Sequence, residues 1–318
     1  MHYVTELFIN YEQQYKPYFH VFFDDKKEEE NYPTNVNLGI IDSFKHLIRA
    51  NITNKQKEII KGYCYGKQKI KKIKIIIDYP VTSLKGLFKD CNSLKEINFI
   101  QFYRKNIVDM SQMFYNCTGL IKLNFSSFNS VNVKNMSDMF SLCVRLKKYD
   151  FSNFSTENVT DMSYMFSECI NLEYLDLSKM KTGKLKIMTG MFSECYKLKD
   201  LNITSFDTKN VYDMSGVFYG CSSLKKINLK NFNTCNVNDF EKMFDLCSSL
   251  EELDISNFNT NKANKLNYMF RRCHGLKILD IINFDFQPKA EIKGFIEECN
   301  SLEDLICSDK VRKRINNK

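Results

Sequence analysis

Met136-Ser-Asp-Met-Phe-Ser-Leu-Cys-Val-Arg-Leu-Lys-Lys-Tyr-Asp-Phe-Ser-Asn-Phe-Ser-Thr-Glu-Asn-Val-Thr-Asp161 is one unit of a pattern that returns every 26 residues. Met136, Met139, Phe140, Cys143 and Leu146 fall at i, i+3, i+4, i+7 and i+10, the apolar stripe that predicts a short helix. Asn135 precedes the stripe, and Asp109, Asp161, Asp213 and Asp239 hold the same place elsewhere, as N-caps would. The period then drops to two. Tyr149 and Phe151 alternate with Lys148, Asp150 and Ser152, which predicts a short strand. Phe154 closes the segment, and Ser-Thr-Glu-Asn-Val reads as a polar turn into the next unit.

Working outward, a Cys stands at 91, 117, 143, 169, 195, 221, 247, 273 and 299, with a Leu three residues after each and no insertion between units. Units this small bury an apolar face only by stacking on their neighbours. One strand and one helix per unit, always in the same order, require parallel strands joined by right-handed crossovers. The expected fold is therefore α/β: a right-handed solenoid with a concave sheet of about ten short parallel strands and nine short convex helices. The column 102, 128, 154, 206, 232, 258 and 284 is Phe throughout, with Met180 its one substitute, and reads as core.

The step Leu172-Glu173-Tyr174-Leu175-Asp176-Leu177 resembles a leucine-rich repeat. The fuller unit, Asn158-Val-Thr-Asp-Met-Ser-Tyr-Met-Phe-Ser-Glu-Cys-Ile-Asn-Leu-Glu-Tyr-Leu-Asp-Leu-Ser, is similar to the "bacterial surface protein" repeat of the BspA-like class, over about residues 81–307. That resemblance implies a partner-binding or adhesive solenoid, often on a cell surface. The cysteine-containing repeats of ubiquitin-ligase adaptors share the unit length and are a weaker match.

Composition fits a folded chain: 318 residues, 43% hydrophobic and 26% charged, with a net charge of +8. The longest aliphatic run is Ile75-Ile76-Ile77, far short of the roughly 20 residues of a membrane helix. Glu6 and Glu12 interrupt any signal-peptide core, and residue 2 is His, so no lipid anchor is expected. The expected location is cytoplasmic, with the cell surface as the alternative that the resemblance implies. Nine of the twelve Cys occupy one column and read as free, buried thiols, since helices packed side by side stand about 10 Å apart. That exceeds the roughly 7 Å Cα limit of a disulfide.

Three regions are expected: an N-terminal, mostly helical cap over 1–66, the repeat solenoid over 67–307, and a basic tail over 308–318. In the cap, Leu38, Ile41, Leu47 and Ile48 lie near one helical face, and Thr53 with Gln56 resembles a capping box opening a helix to about Tyr63. Lys67, Lys69, Lys71, Lys72 and Lys74 surround Ile73–Ile77, expected to be the outermost strand, where lysines discourage edge pairing. From residue 309 on, five basic residues against Asp309 leave a net +4, expected to be solvated.

Chemistry is sparse. His2, His20, His46 and His274 have no paired spacing, the Cys column contains no Cys-x-x-Cys, and the glycines form no phosphate loop. No enzyme activity, cofactor or metal is expected. The expected site is the concave face, where a protein partner would bind. Its first column is Glu96, Lys122, Lys148, Tyr174, Asp200, Lys226, Glu252, Ile278 and Asp304. Its second is Asn98, Asn124, Asp150, Asp176, Asn202, Asn228, Asp254 and Asp280, and Ile100 and Lys230 lie one step further along. Tyr174, Ile278 and Ile100 are the candidate apolar anchors. Four lysines against eight carboxylates make this face net negative although the chain is basic, which argues against a nucleic-acid groove. Weak binding of nucleic acid or acidic surfaces by the basic ends is the remaining alternative.

Overall fold

A computed structural model of the chain describes residues 5–11, 60–64, 72–77, 82–92, 94–99, 105–125, 128–147, 151 and 154–316. The strands are β1 (Thr5–Tyr11), β2 (Ile60–Cys64), β3 (Lys72–Ile77), β4 (Leu94–Phe99), β5 (Lys122–Asn124), β6 (Tyr174–Asp176), β7 (Asp200–Asn202), β8 (Lys226–Ile227), β9 (Glu252–Leu253), β10 (Ile278–Asp280) and β11 (Asp304–Ile306). From β4 on they pair in parallel two by two with a register of one repeat, rather than in the expected single sheet of about ten strands: Glu96 faces Lys122, Tyr174 faces Asp200, Lys226 faces Glu252, and Ile278 faces Asp304. A second ladder of parallel bridges runs through Ser83, Asp109, Asn135, Asp161, Ile187, Asp213, Asp239, Lys265 and Glu291, one per coil. The chain is a stack of coils, one per repeat.

The expected helices are absent from the described coils. The residues of the stripe are all buried, but the backbone beneath them is a ribbon of consecutive turns. The amides of Met139, Ser141 and Cys143 reach back three residues, to the carbonyls of Met136, Asp138 and Phe140 (3.3, 3.1 and 3.1 Å). The amides between them, of Met136, Asp138, Phe140 and Leu142, donate to Asp161, Ser163, Met165 and Ser167 of the next coil at 2.8–2.9 Å. A helix would keep every such bond inside its own segment. The ribbon sends every second one across the stack. Doing so requires a left-handed residue at each fourth position: Asp138 (φ 54°) and Leu142 (φ 61°) here, and the equivalent two residues in the other coils from Gly86 to Glu298. The expected N-cap column is real in chemistry but caps turns: Asp161 Oδ1 accepts the Ser163 amide and hydroxyl at 2.9 and 2.7 Å.

Direct bonding between coils sets their separation at about the spacing of a β-ladder, roughly 4.8 Å. The 10 Å helix spacing, and the distance argument against disulfides built on it, therefore do not hold. The ladder cysteines are nevertheless free thiols, and each is engaged. Cys143, Cys169, Cys195 and Cys221 donate to the carbonyls of Phe114, Phe140, Phe166 and Phe192 at 3.1–3.2 Å. Beside them, Phe88, Phe114, Phe140, Phe166, Phe192, Phe218, Phe244 and Phe270 form a continuous stack with centroids 5.4–5.9 Å apart. On the return side, buried hydroxyls replace the ladder. Thr208 Oγ1 donates to the Asn233 carbonyl (2.9 Å) and accepts its amide (2.8 Å), and Ser130, Thr156, Thr182, Thr234 and Thr260 do the same in their coils. The sequence reading took these residues for part of a polar turn and did not single out the buried hydroxyl.

Both ends differ from expectation. The described parts of the N-terminal region are strands, not helices: residues 60–63, expected to end a helix, lie in β2. The helix face at Leu38, Ile41, Leu47 and Ile48 lies outside the described residues, as do Lys67, Lys69 and Lys71. β1 inserts between β3 and β4, antiparallel to both, in a sheet ordered β2-β3-β1-β4-β5. Hence β3, with Lys72 and Lys74, is an interior strand rather than the lysine-guarded edge. An antiparallel strand covers the open edge of the first coil, which a further parallel coil would otherwise have to do.

At the other end the basic tail is a helix, α1 (Asp309–Asn316), with Val311 buried. In the coils before the last, the carbonyls of Val108, Lys134, Thr160, Lys186, Tyr212, Asn238 and Asn264 accept an amide from the coil that follows. Among the described residues no coil follows that of Ala290. Arg314 supplies the donors instead, to the carbonyls of Ala290 (2.9 Å) and Gln287 (2.6 Å).

Two outcomes follow from this backbone. Lys242 occupies a left-handed position (φ 56°) that is Gly at 190, 216 and 294. Lys242→Gly should raise stability by roughly 0.5–1 kcal/mol in urea unfolding. In a helix it would lower stability by about as much. The second concerns the thiols. Burial pushes those of Cys117, Cys169, Cys221 and Cys247 well above the ordinary 9.0, and that of Cys195 up to about 12. A raised native pKa stabilises the fold below pH 9.0, and that advantage is lost as pH rises, because only the unfolded thiols ionise. Above pH 9 under reducing conditions, stability should fall by about 1.4 kcal/mol per pH unit per thiol. A flat profile from pH 9 to 11 would contradict a sealed ladder.

Candidate partner-binding face

The side chains on the strands are sorted by the pleat. In β6, β7 and β10 the middle residues Leu175, Leu201 and Leu279 are buried, while Tyr174, Asp200 and Ile278 point outward. Lys122, Asn124, Lys226, Asn228, Glu252, Asp254 and Asp280 are exposed, and Glu96, Asp176 and Asn202 are half-buried. Asn98 lies in β4 facing Asn124. Ile100, Lys148 and Asp150 lie outside the described residues. The strand register therefore brings the described candidates into two adjacent columns on one face.

The two columns do different work. In the second, the side-chain oxygens fold back onto the chain: Asp176 Oδ1 accepts the Ser178 amide (2.9 Å), Asp254 Oδ1 the Ser256 amide and hydroxyl (3.2 and 2.7 Å), and Asp280 Oδ1 the Ile282 amide (3.0 Å). These bonds hold the carboxyls of Asp176 and Asp254 below the usual range. This column ends the strands. The first column presents cross-strand neighbours of opposite charge in Glu96–Lys122 and Lys226–Glu252, and uncharged Tyr174 and Ile278 beside Asp200 and Asp304. Along the flank, Lys199 pairs with Glu173 (3.1 Å) and Lys225 with Glu251 (3.0 Å). Over the described part of the face, seven carboxylates stand against three lysines, Lys122, Lys226 and Lys230.

Two exposed residues of this face escaped the sequence reading: Ile282 and Ile306. Ile306 is an apolar outlier in a polar column, and Ile282 shares an otherwise polar column with Ile100. Ile282 follows Ser178, Thr204, Lys230 and Ser256 at the same place, and Ile306 follows Asp254 and Asp280. Comparing columns rather than strands would have found them. Off this face, the Tyr196 hydroxyl donates to Glu194, whose carboxylate pushes the phenol up to about 12. In the turn ribbon, Arg271 forms a bidentate pair with the fully buried Asp245 (3.0 and 2.6 Å) and stacks on Tyr268. Its single partner in the adjacent coil and its burial mark that pair as a packing element. Among the described residues no three His, Cys, Asp or Glu side chains are grouped to hold a metal ion, and no helix is long and apolar enough to cross a membrane.

Stacked coils with short parallel strands define a repeat protein. The family model described as "Mycoplasma protein of unknown function, DUF285" matches residues 82–201 and again 186–308, and the chain belongs to that family. The two matches together span the stack of coils. No curated protein and no solved structure matches the chain.

The face should be separable from the core by stability. Tyr174→Ala, Lys226→Ala and Ile278→Ser alter exposed side chains and should shift stability by no more than about 0.5 kcal/mol. Leu172→Ala, at a site with no exposed surface, should cost about 2–5 kcal/mol and loosen the adjoining coils in hydrogen exchange. A large loss on altering Tyr174 would make it a structural residue.

Proposed function

We propose that this chain is a non-enzymatic interaction scaffold of the BspA-like leucine-rich-repeat class, a right-handed solenoid whose strand face is concave and receives a protein partner. The observation that carries the reading is the contrast between columns. Inside, each coil repeats nearly the same Phe, Met, Cys and Leu. On the first column of the strand face, chemistry changes from coil to coil: Lys122, Tyr174, Asp200, Lys226, Glu252, Ile278. Packing cannot account for that variety, because these side chains are exposed. The backbone of each strand is bonded to a neighbouring coil, β6 to β7, β8 to β9 and β10 to β11, which lowers the ordering entropy that opposes binding.

The test is affinity purification of the full chain from its native cells, read by mass spectrometry. A Tyr174→Ala, Lys226→Glu double variant should lose at least tenfold of the specific partner, since an interface Tyr commonly contributes about 2 kcal/mol or more. Tyr212→Ala, at an exposed residue outside the strand face, should not. Equal recovery by all three proteins would move the site to the turn ribbon or the ends.

A further inference from the structure

The C-terminal end of the strand face differs from the rest. Ile278, Ile282 and Ile306 are 57, 49 and 37% exposed, and they are close together: Ile278 and Ile282 flank Asp280, which is the partner of Ile306 in the β10–β11 register. The charged groups that the strands place among and beside them are Glu252, Asp254, Asp280 and Asp304, all carboxylates. Of the basic residues of the adjoining helix, Lys310 pairs with Asp285, Arg314 donates to the carbonyls of Ala290 and Gln287, and Arg312 is held on the Leu305 carbonyl at the β11 end of the patch. Lys277 stands in the flanking column between Glu251 and Glu303.

We propose that this patch docks a segment of a partner protein presenting branched or aromatic apolar side chains flanked by lysine or arginine. The proposal rests on reading the strand face as a partner surface, and it names the partner's chemistry. Three exposed isoleucines supply apolar area that water leaves uncovered. The surrounding carboxylates select the sign of the partner's rim and speed its approach. The same charge excludes a second copy of the patch, since face-to-face pairing would set carboxylate against carboxylate.

The probe is a labelled peptide, Ac-Lys-Ile-Lys-Phe-Lys-Ile-Lys-amide, titrated with the full chain by fluorescence anisotropy at physiological salt. It should bind, and versions with Glu for Lys or Ser for the apolar residues should bind at least tenfold more weakly. Ile278→Ser with Ile306→Ser should also cost at least tenfold. Asp280→Asn with Asp304→Asn should weaken binding and flatten its salt dependence, and the carboxamide introduced by Asp280→Asn keeps an oxygen for the Ile282 amide. No binding overturns the proposal, as does equal binding of the Ser-substituted peptide, which is charge attraction alone. Self-association of the chain that the isoleucine substitutions abolish would also overturn it. Native partner capture that is lost in the Tyr174→Ala, Lys226→Glu variant but kept in the Ile278→Ser, Ile306→Ser variant sinks this site and leaves the broader reading standing.

Discussion

The structure depends on one constraint: in the turn ribbon, every second amide bonds to the neighbouring coil instead of its own. Phe140 N–H to Met165 O at 2.9 Å, and its equivalents from Gly86 to Arg272, bring the coils to ladder spacing on this side as the strands do on the other. At that separation side chains of the same column touch. A stack of phenylalanine rings, a file of thiols and a file of Thr hydroxyls are then consequences of repetition, each residue meeting its own kind one coil away. Any insertion would put unlike columns in contact and break both ladders, which fits a repeat with none between Cys91 and Cys299.

That close approach carries a conformational cost. Thirteen non-glycine residues sit in the left-handed region among the described coils, a state unfavourable by roughly 1–2 kcal/mol for an ordinary L-residue. The inter-coil bonds and the sealed core offset it. At Gly190 and Gly294 a neighbouring ring exploits the space: a Cβ on Gly190 would come within 2.4 Å of the Tyr164 ring, and one on Gly294 within 2.6 Å of the Tyr268 ring, so each ring lies directly over the next coil's backbone. The ends of the stack face the opposite problem, bonds with no neighbour to receive them. They are closed by different chemistry, an antiparallel strand at one end and an arginine-bearing helix at the other.

A backbone saturated in this way leaves function to the outward side chains. The second strand column is partly consumed in ending the strands, as the Asp254–Ser256 bonds illustrate. The first column and the isoleucines near the C-terminal end have no such structural duty, and variety there does not disturb the stack. A repeat of this kind separates the residues that hold the coils from those that can diversify.

By itself the sequence determined the period, the apolar columns of the core, and the two lines of candidate residues on the strands. These follow from the spacing of apolar residues, which burial alone imposes. The backbone conformation beneath the stripe was decided only by tertiary structure. Met136, Met139, Phe140 and Cys143 lie on one face of an α-helix and equally of a ribbon of turns, so apolar spacing cannot separate the two. The difference lies in where alternate amides find acceptors, and those acceptors belong to another coil. The same holds at the ends. Nothing local in Thr5–Tyr11 announces insertion between β3 and β4, and nothing in Arg314 announces Ala290 as its acceptor, because each partner is supplied by a distant segment of the fold.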